Sequence, residues 1–348
     1  MSLPDFVQKN TPPYELMDIP PLVIGGAVFN TQYCEDPEKM PITEILKVAF
    51  GKGLVALDTS PYYGRSEELI GKALAEISTE WPREMYFLCT KAGRIRLDEF
   101  DYTRKSVRAS VLRSLNRLKT SYLDLVYMHD IEFVSEQETY DALKELLALK
   151  NEGVIKNFGI TGYPVDYLLK IALHAKNDPE IGPLDAILSY SNGCLQNTIL
   201  FEMQDRFLHE AGVKKVFNGS IISMSLLRSG KTHGFHPAPQ DLKDTCDMIA
   251  QRLLKEEQVE LADLATQFAI EKTLFDSSTD ESGKLLWNRQ FSVVLGVSSV
   301  EELTAAIEGY EFVQKNTNKR EKALYERVQK ELGPAHLNET WPSGIEHS

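Results

Sequence analysis

Cysteine is scarce and scattered: Cys34, Cys89, Cys194 and Cys246 are the four in 348 residues, and no two stand in C-x-x-C spacing. Such usage argues against a disulfide framework and a thiolate zinc site, and it makes a reducing cytoplasm the expected compartment. No apolar run approaches the length of a membrane span,. The opening M-S-L-P-D-F-V-Q-K has neither the basic nor the apolar region of a signal peptide,. Positive charge is in deficit, with 38 Lys and Arg against 51 Asp and Glu and a net charge of −13. A nucleic acid or an anionic membrane is therefore disfavoured as partner, and a soluble enzyme is expected. Also missing is a strand followed by G-x-G-x-x-G, which argues against a doubly wound dinucleotide fold. His233 and His236 form an H-x-x-H pair, but they fall in a polar excursion from Arg228 to Gln240 and read as solvated, so no metal is expected,.

What the chain does contain is alternation. Short apolar runs at Pro20–Ala27, Gly53–Asp58, Met85–Thr90, Tyr122–Met128, Val154–Ile160, Leu184–Leu188, Lys215–Ile221 and Phe291–Val297 read as strands buried on both faces,. Most are followed by helical spacing, clearest over Thr103–Lys119, where Val107, Val111, Leu115 and Leu118 form one stripe,. Arg104, Arg108, Arg113 and Arg117 lie off that stripe and read as a solvated face. Eight strands alternating with helices predict a (β/α)8 TIM barrel, one domain over residues 1–348, with residues 313–348 as an additional C-terminal helix and tail.

In such a barrel, chemistry sits at the C-terminal ends of the strands. The second strand ends at Asp58, with Tyr63 in the loop beyond it; the third ends at Lys91 and the fourth at His129. Taken singly, each has an ordinary explanation: a loop-capping Asp, a surface lysine, a satisfied core histidine. Three consecutive strand ends carrying an acid, a cation and an imidazole, with a tyrosine alongside, instead outline an acid/base site.

Here the sequence resembles the aldo-keto reductases, whose signature D-T-x-x-x-Y-G, T-K and H is matched by Asp58-Thr59 with Tyr63-Gly64, by Thr90-Lys91 and by His129. The resemblance runs through G-I-T-G-Y at Gly159, L-S-Y-S at Leu188, N-G-S-I-I-S-M-S-L-L at Asn218 and V-L-G-V-S-S-V-E-E-L at Val294, and it is strongest to the sugar dehydrogenases of the family. It implies that Tyr63 exchanges the proton with the substrate oxygen. A free tyrosine has a pKa of about 10; Lys91 is expected to lower it, Asp58 to hold Lys91 charged, and His129 to orient the reacting oxygen. The implied reaction is oxidation of a cyclic aldose at C1 to its lactone, with NAD as cofactor and a small sugar as partner. No obligate protein partner is evident.

The implied cofactor residues are Gly26, Thr161, Ser189, Ser220, Leu226, Gly296, Ser298 and Glu302. Thr161-Gly162 replaces a common Ser-Asn, Ser189 a common Gln, and Gly219 stands where many members place an aromatic ring. Glu302 aligns with a position that supplies a basic residue to the 2′-phosphate in NADP-using members, hence the expectation of NAD; the other reading is that Glu301 and Glu302 merely favour a helix N-terminus. An NADPH-dependent carbonyl reductase, a non-catalytic nucleotide-binding regulatory subunit and a metal-dependent hydrolase on the same barrel remain alternatives.

Overall fold

Each apolar run expected to be a strand forms one in the computed structural model, which describes residues 14–345. The N-terminal stretch expected not to be a signal peptide, and the last three residues of the predicted tail, lie outside the described residues. Strands β1 (Leu22–Gly25), β2 (Ala56–Asp58), β3 (Phe87–Ala92), β6 (Leu125–His129), β7 (Phe158–Gly162), β8 (Ala186–Tyr190), β9 (Lys215–Gly219) and β12 (Phe291–Gly296) pair in parallel, in that order, and close into a barrel. Closure joins the first strand to the last, Leu22 opposite Val293 through Gly25 opposite Gly296. Two antiparallel hairpins stand outside the barrel: β4 (Arg94–Arg96) with β5 (Glu99–Phe100), and β10 (Phe275–Thr279) with β11 (Leu285–Trp287). Neither was expected.

Helices α1 (Ile42–Gly51), α2 (Ser66–Glu76), α3 (Arg104–Leu118), α4 (Glu136–Asn151), α5 (Val165–Asn177), α6 (Ile199–His209), α7 (Gln240–Glu257), α8 (Leu261–Leu274), α9 (Val300–Gln314) and α10 (Lys319–His336) surround it. The stripe of α3 packs as expected, with Val107, Val111 and Leu118 buried. Its arginines require a correction. Arg104 and Arg108 both pair with the buried Glu145 of α4, at 2.9 and 2.5 Å, and Arg117 reaches the buried Glu67 of α2 at 3.3 Å. A buried carboxylate needs a cation, and the neighbouring helices supply these. Arg113, which donates to Ser110 Oγ at 3.3 Å, makes no such bridge among the described residues.

Two apolar clusters result. The larger fills the barrel and the layer beneath its helices. The smaller joins α7, α8, α10, Leu226, Leu227 and Trp341. It fixes the loop after β9 and the C-terminal tail at the barrel mouth, where both line the central cavity. Among the described residues no helix is long and apolar enough to cross a membrane.

Candidate active site

The C-terminal strand ends surround a cavity of about 1160 Å³, and Asp58, Tyr63, Lys91 and His129 all line it. Lys91 Nζ donates to Asp58 Oδ1 at 2.5 Å and to the Thr59 carbonyl at 3.0 Å, and it lies 4.8 Å from the centre of the Tyr63 ring. Tyr63 meets His129 edge-on, ring centres 5.6 Å apart. The loop carrying the tyrosine is tied down: Tyr63 N donates to Ser60 O, and Ser66 Oγ, opening α2, bonds Gly26 O at 2.8 Å.

Burial sets the protonation states. It drives the Tyr63 phenol up to about 12, opposed by the charge of Lys91 and reinforced by Asp58 and Asp130. The expectation that Lys91 would bring the phenol below its ordinary value is thus overturned: Lys91 offsets only part of the desolvation. Burial also pulls the Lys91 ammonium down, but Asp58 and Tyr63 outweigh it and Lys91 ends above its ordinary value. Desolvation raises the Asp58 carboxyl against the pull of Lys91. With the proton held on Lys91, the pair is charged. His129, desolvated and facing the positive charges of Lys91 and Arg94, titrates well below the usual imidazole range and is neutral.

A neutral imidazole has one proton, and the network assigns it. Tyr62 N–H donates to Ser60 Oγ at 3.1 Å, and Ser60 Oγ lies 3.0 Å from His129 Nδ1. Ser60 is able to donate to Nδ1 or accept from it, and the Asp130 carboxylate oxygen 3.5 Å from Nε2 favours the tautomer with the proton on Nε2, in which Ser60 donates to Nδ1,. Ser60 thus belongs to the site although its type attracted no notice; its place inside D-T-S-P-Y-Y-G was the available signal. Asp130 and Arg94 were also missed. They form a buried ion pair on the cavity wall, with Asp130 Oδ2 3.5 Å from His129 Nε2.

Glu132 is the third omission. Its carboxylate accepts from Tyr163 N at 2.8 Å and Ser343 Oγ at 3.2 Å, while its carbonyl accepts from Ile345 N. Burial, with Asp130 adding to it, raises the Glu132 carboxyl to about 8. A Cβ at Gly162 would collide with this carboxylate, and one at Gly344 would collide with the Glu132 backbone. Gly162, a departure from the common Ser-Asn, therefore makes room for the residue that anchors the tail.

Of the implied cofactor residues, Thr161, Ser220, Gly296, Ser298 and Glu302 line the cavity. Gly26, Ser189 and Leu226 do not. Gly26 packs on α2, where a Cβ would press on Ser66 Oγ. On β8, Leu188 and Tyr190 face the cavity and the alternation turns Ser189 away,. Leu226 is buried in the second cluster. Glu302 has a double position: it lines the cavity while its Oε2 accepts from Ser298 N at 2.7 Å and Ser298 Oγ at 2.8 Å at the start of α9. His236 is not solvated; its Nε2 bonds Ser223 O at 2.9 Å and its Nδ1 accepts from Ala238 N at 3.1 Å, leaving no nitrogen for a metal. His233 stacks on Phe235 with ring centres 5.3 Å apart. Among the described residues no three His, Cys, Asp or Glu side chains gather as metal ligands.

The wall fits a nicotinamide nucleotide. Arg228 and Gln267 line the cavity, and Arg228 Nε and Gln267 Oε1 are buried polar atoms with no hydrogen-bond partner among the described residues, left for a ligand to satisfy once the side chains turn toward it,. Gly219 leaves the wall beside β9 without a side chain.

The sequence profile of the Aldo/keto reductase family matches residues 21–323. The chain is 48% identical over 345 residues to D-arabinose 1-dehydrogenase of Saccharomyces cerevisiae, covering 98% of each. It is 32% identical over 329 residues to L-galactose dehydrogenase of Arabidopsis thaliana, covering 92% of this chain and 91% of that one. A holo-form aldo-keto reductase from Bacillus halodurans shares the fold with a TM-score of 0.63 at 19% identity, over 92% of this chain and 96% of the other.

Proposed function

The chain belongs to the aldo/keto reductase family, and on that premise we propose that it oxidises a cyclic aldose, D-arabinose or a related sugar, at C1 to the aldonolactone with NAD. The observation that carries this is the convergence of Asp58, Tyr63, Lys91 and His129 on one cavity. A bound nicotinamide nucleotide would supply the hydride acceptor for C1, and Thr161, Ser220, Gly296, Ser298 and Glu302 on the cavity wall are the residues that would hold it.

The chain's own residues handle the proton. His129 Nε2–H donates to the C1 oxygen and orients it. Tyr63 as phenolate accepts the C1 hydroxyl proton as the C–O bond gains double-bond character, and the ammonium of Lys91, held charged by Asp58, stabilises that phenolate beforehand. With the phenol at about 12, the phenolate is a minority at neutral pH, so oxidation quickens as pH rises. In the reverse direction the neutral phenol is the acid.

Preference for NAD rests on charge. The part of the wall between Ala262 and Phe312 carries Asp263, Glu302 and Glu308 and no lysine or arginine among its described residues. Such a wall repels a 2′-phosphate and offers acceptors to ribose hydroxyls. The activity is further proposed to belong to one barrel domain in the cytoplasm, with a sugar as partner and neither nucleic acid nor an obligate protein. Turnover of pentoses and 6-deoxyhexoses with NAD and NADP tests the whole reading. Faster reduction of aldehydes by NADPH, or nucleotide binding without turnover, would replace it.

A further inference from the structure

Beside His129 the chain buries a second charged pair that the reaction as derived does not use. The Arg94 side chain is 11% exposed and that of Asp130 3%. Arg94 is held from several sides: its guanidinium carbon lies 4.0 Å from the centre of the Tyr62 ring and 5.3 Å from those of Phe100 and Phe133, and Nη2 donates to Leu97 O at 3.1 Å. Asp130 sits in left-handed backbone, φ 58°, ψ 64°, a strain that a residue other than glycine sustains where its surroundings over-determine it. A buried ion pair adds little stability that a packed apolar pair would not. This one lines the cavity, and among the described residues Asp130 Oδ1 has no partner, Arg94 and His129 both addressing Oδ2.

The position of the carboxylate defines what it can meet. His129 Nε2 holds the oxygen on C1, and Asp130 Oδ2 lies 3.5 Å from that nitrogen. The oxygens of a vicinal diol stand about one hydrogen bond apart, which puts a hydroxyl on C2 within reach of Asp130 when the sugar ring is turned to that side. We propose that Asp130, kept ionised and aimed by Arg94, accepts the hydrogen bond of the C2 hydroxyl and makes the site selective for 2-hydroxylated aldoses over deoxy-sugars and simple aldehydes. The assignment rests on the aldose reading above.

The test compares kcat/KM for D-arabinose with that for 2-deoxy-D-ribose, the same sugar without its C2 hydroxyl. The intact protein prefers arabinose; Asp130→Asn reduces that preference by roughly ten- to a hundredfold, mainly through KM for arabinose. Asn is well suited to left-handed backbone, so the replacement retains the turn. Arg94→Lys is the second variant, its preference falling in the same direction because the carboxylate is no longer aimed by a planar, stacked fork. Loss of both sugars by the same factor, in either variant, would make the pair a support for His129 alone and overturn the assignment. Oxidation of neither sugar by the intact protein would overturn the aldose reading and this assignment with it.

Discussion

Replacing Lys91 by Met removes one member of an ion pair whose side chains are 1% and 6% exposed and whose atoms stand 2.5 Å apart. Among the described residues Asp58 Oδ2 already has no hydrogen-bond partner, so the variant leaves a buried carboxylate without its cation. Breaking such a pair from one side costs about 3–5 kcal/mol, which at about 2 °C per kcal/mol for a chain of this size lowers Tm by about 6–10 °C. The loss depends on pH, and its sign follows from the carboxyl. Burial already raises Asp58 with Lys91 pulling the other way; without Lys91 it rises further. A group raised in the folded state contributes stability that is complete below its unfolded pKa and is lost as pH rises through the folded one. Lys91→Met is therefore closest to the parent protein near pH 5 and furthest from it near pH 8. Asp58→Asn combined with Lys91→Met removes the orphaned charge and recovers much of the deficit. Thermal unfolding of the three proteins at both pH values measures this. A deficit equal at pH 5 and pH 8, or a double variant as unstable as the sum of the singles, would refute the reasoning.

Tyr63→Phe removes only the proton-transfer oxygen and should lower kcat by about 10² to 10⁴ with nucleotide binding retained; more than a tenth of parent turnover would sink its role. In the intact protein, sugar oxidation should climb steadily from pH 7 to pH 10, because burial places the Tyr63 phenol at about 12; a rate flat over that range would count against Tyr63 as the base. Glu302→Arg should move the ratio of kcat/KM for NAD to that for NADP toward NADP, whereas an unchanged ratio would mean that Glu302 serves only Ser298 at the start of α9. Glu132, raised by burial to about 8, contributes stability that is lost as pH rises through that value, so the fall in Tm between pH 6 and pH 9 should shrink in Glu132→Gln; an undiminished fall would refute it.

The barrel was legible because a strand buried on both faces is a continuous apolar run, and the four groups at its mouth because strand ends carry the chemistry of this fold. Where reading failed, the missing information was spatial. A charged residue read alone is assigned to solvent, and that rule misplaced Arg104, Arg108 and Arg117 of α3 and passed over Arg94 and Glu132, whose partners lie 31 to 50 residues away or in the distant tail. Which of two neighbours meets the cavity turns on a single step of the backbone: Gly25 rather than Gly26, Leu188 and Tyr190 rather than Ser189, Ser225 rather than Leu226. Resemblance locates the neighbourhood; the pleat and the second apolar cluster choose the residue. The phenol's direction of shift was misjudged because the sequence shows Lys91 but not the depth at which Tyr63 is buried.

The seam between β1 and β12 has a consequence for how the protein is made. Leu22–Gly25 pairs on one edge with Ala56–Asp58 and on the other with Phe291–Gly296, so for most of translation that second edge of the first strand is open, its amides and carbonyls unpaired. Exposed edges invite association with other chains, and contacts this distant in sequence form slowly. Yield in an expression host should thus be governed by the interval between synthesis of the first strand and arrival of the last, and substitutions that weaken Val293 or Leu295 should be recovered as aggregate before they are seen as a lower melting temperature.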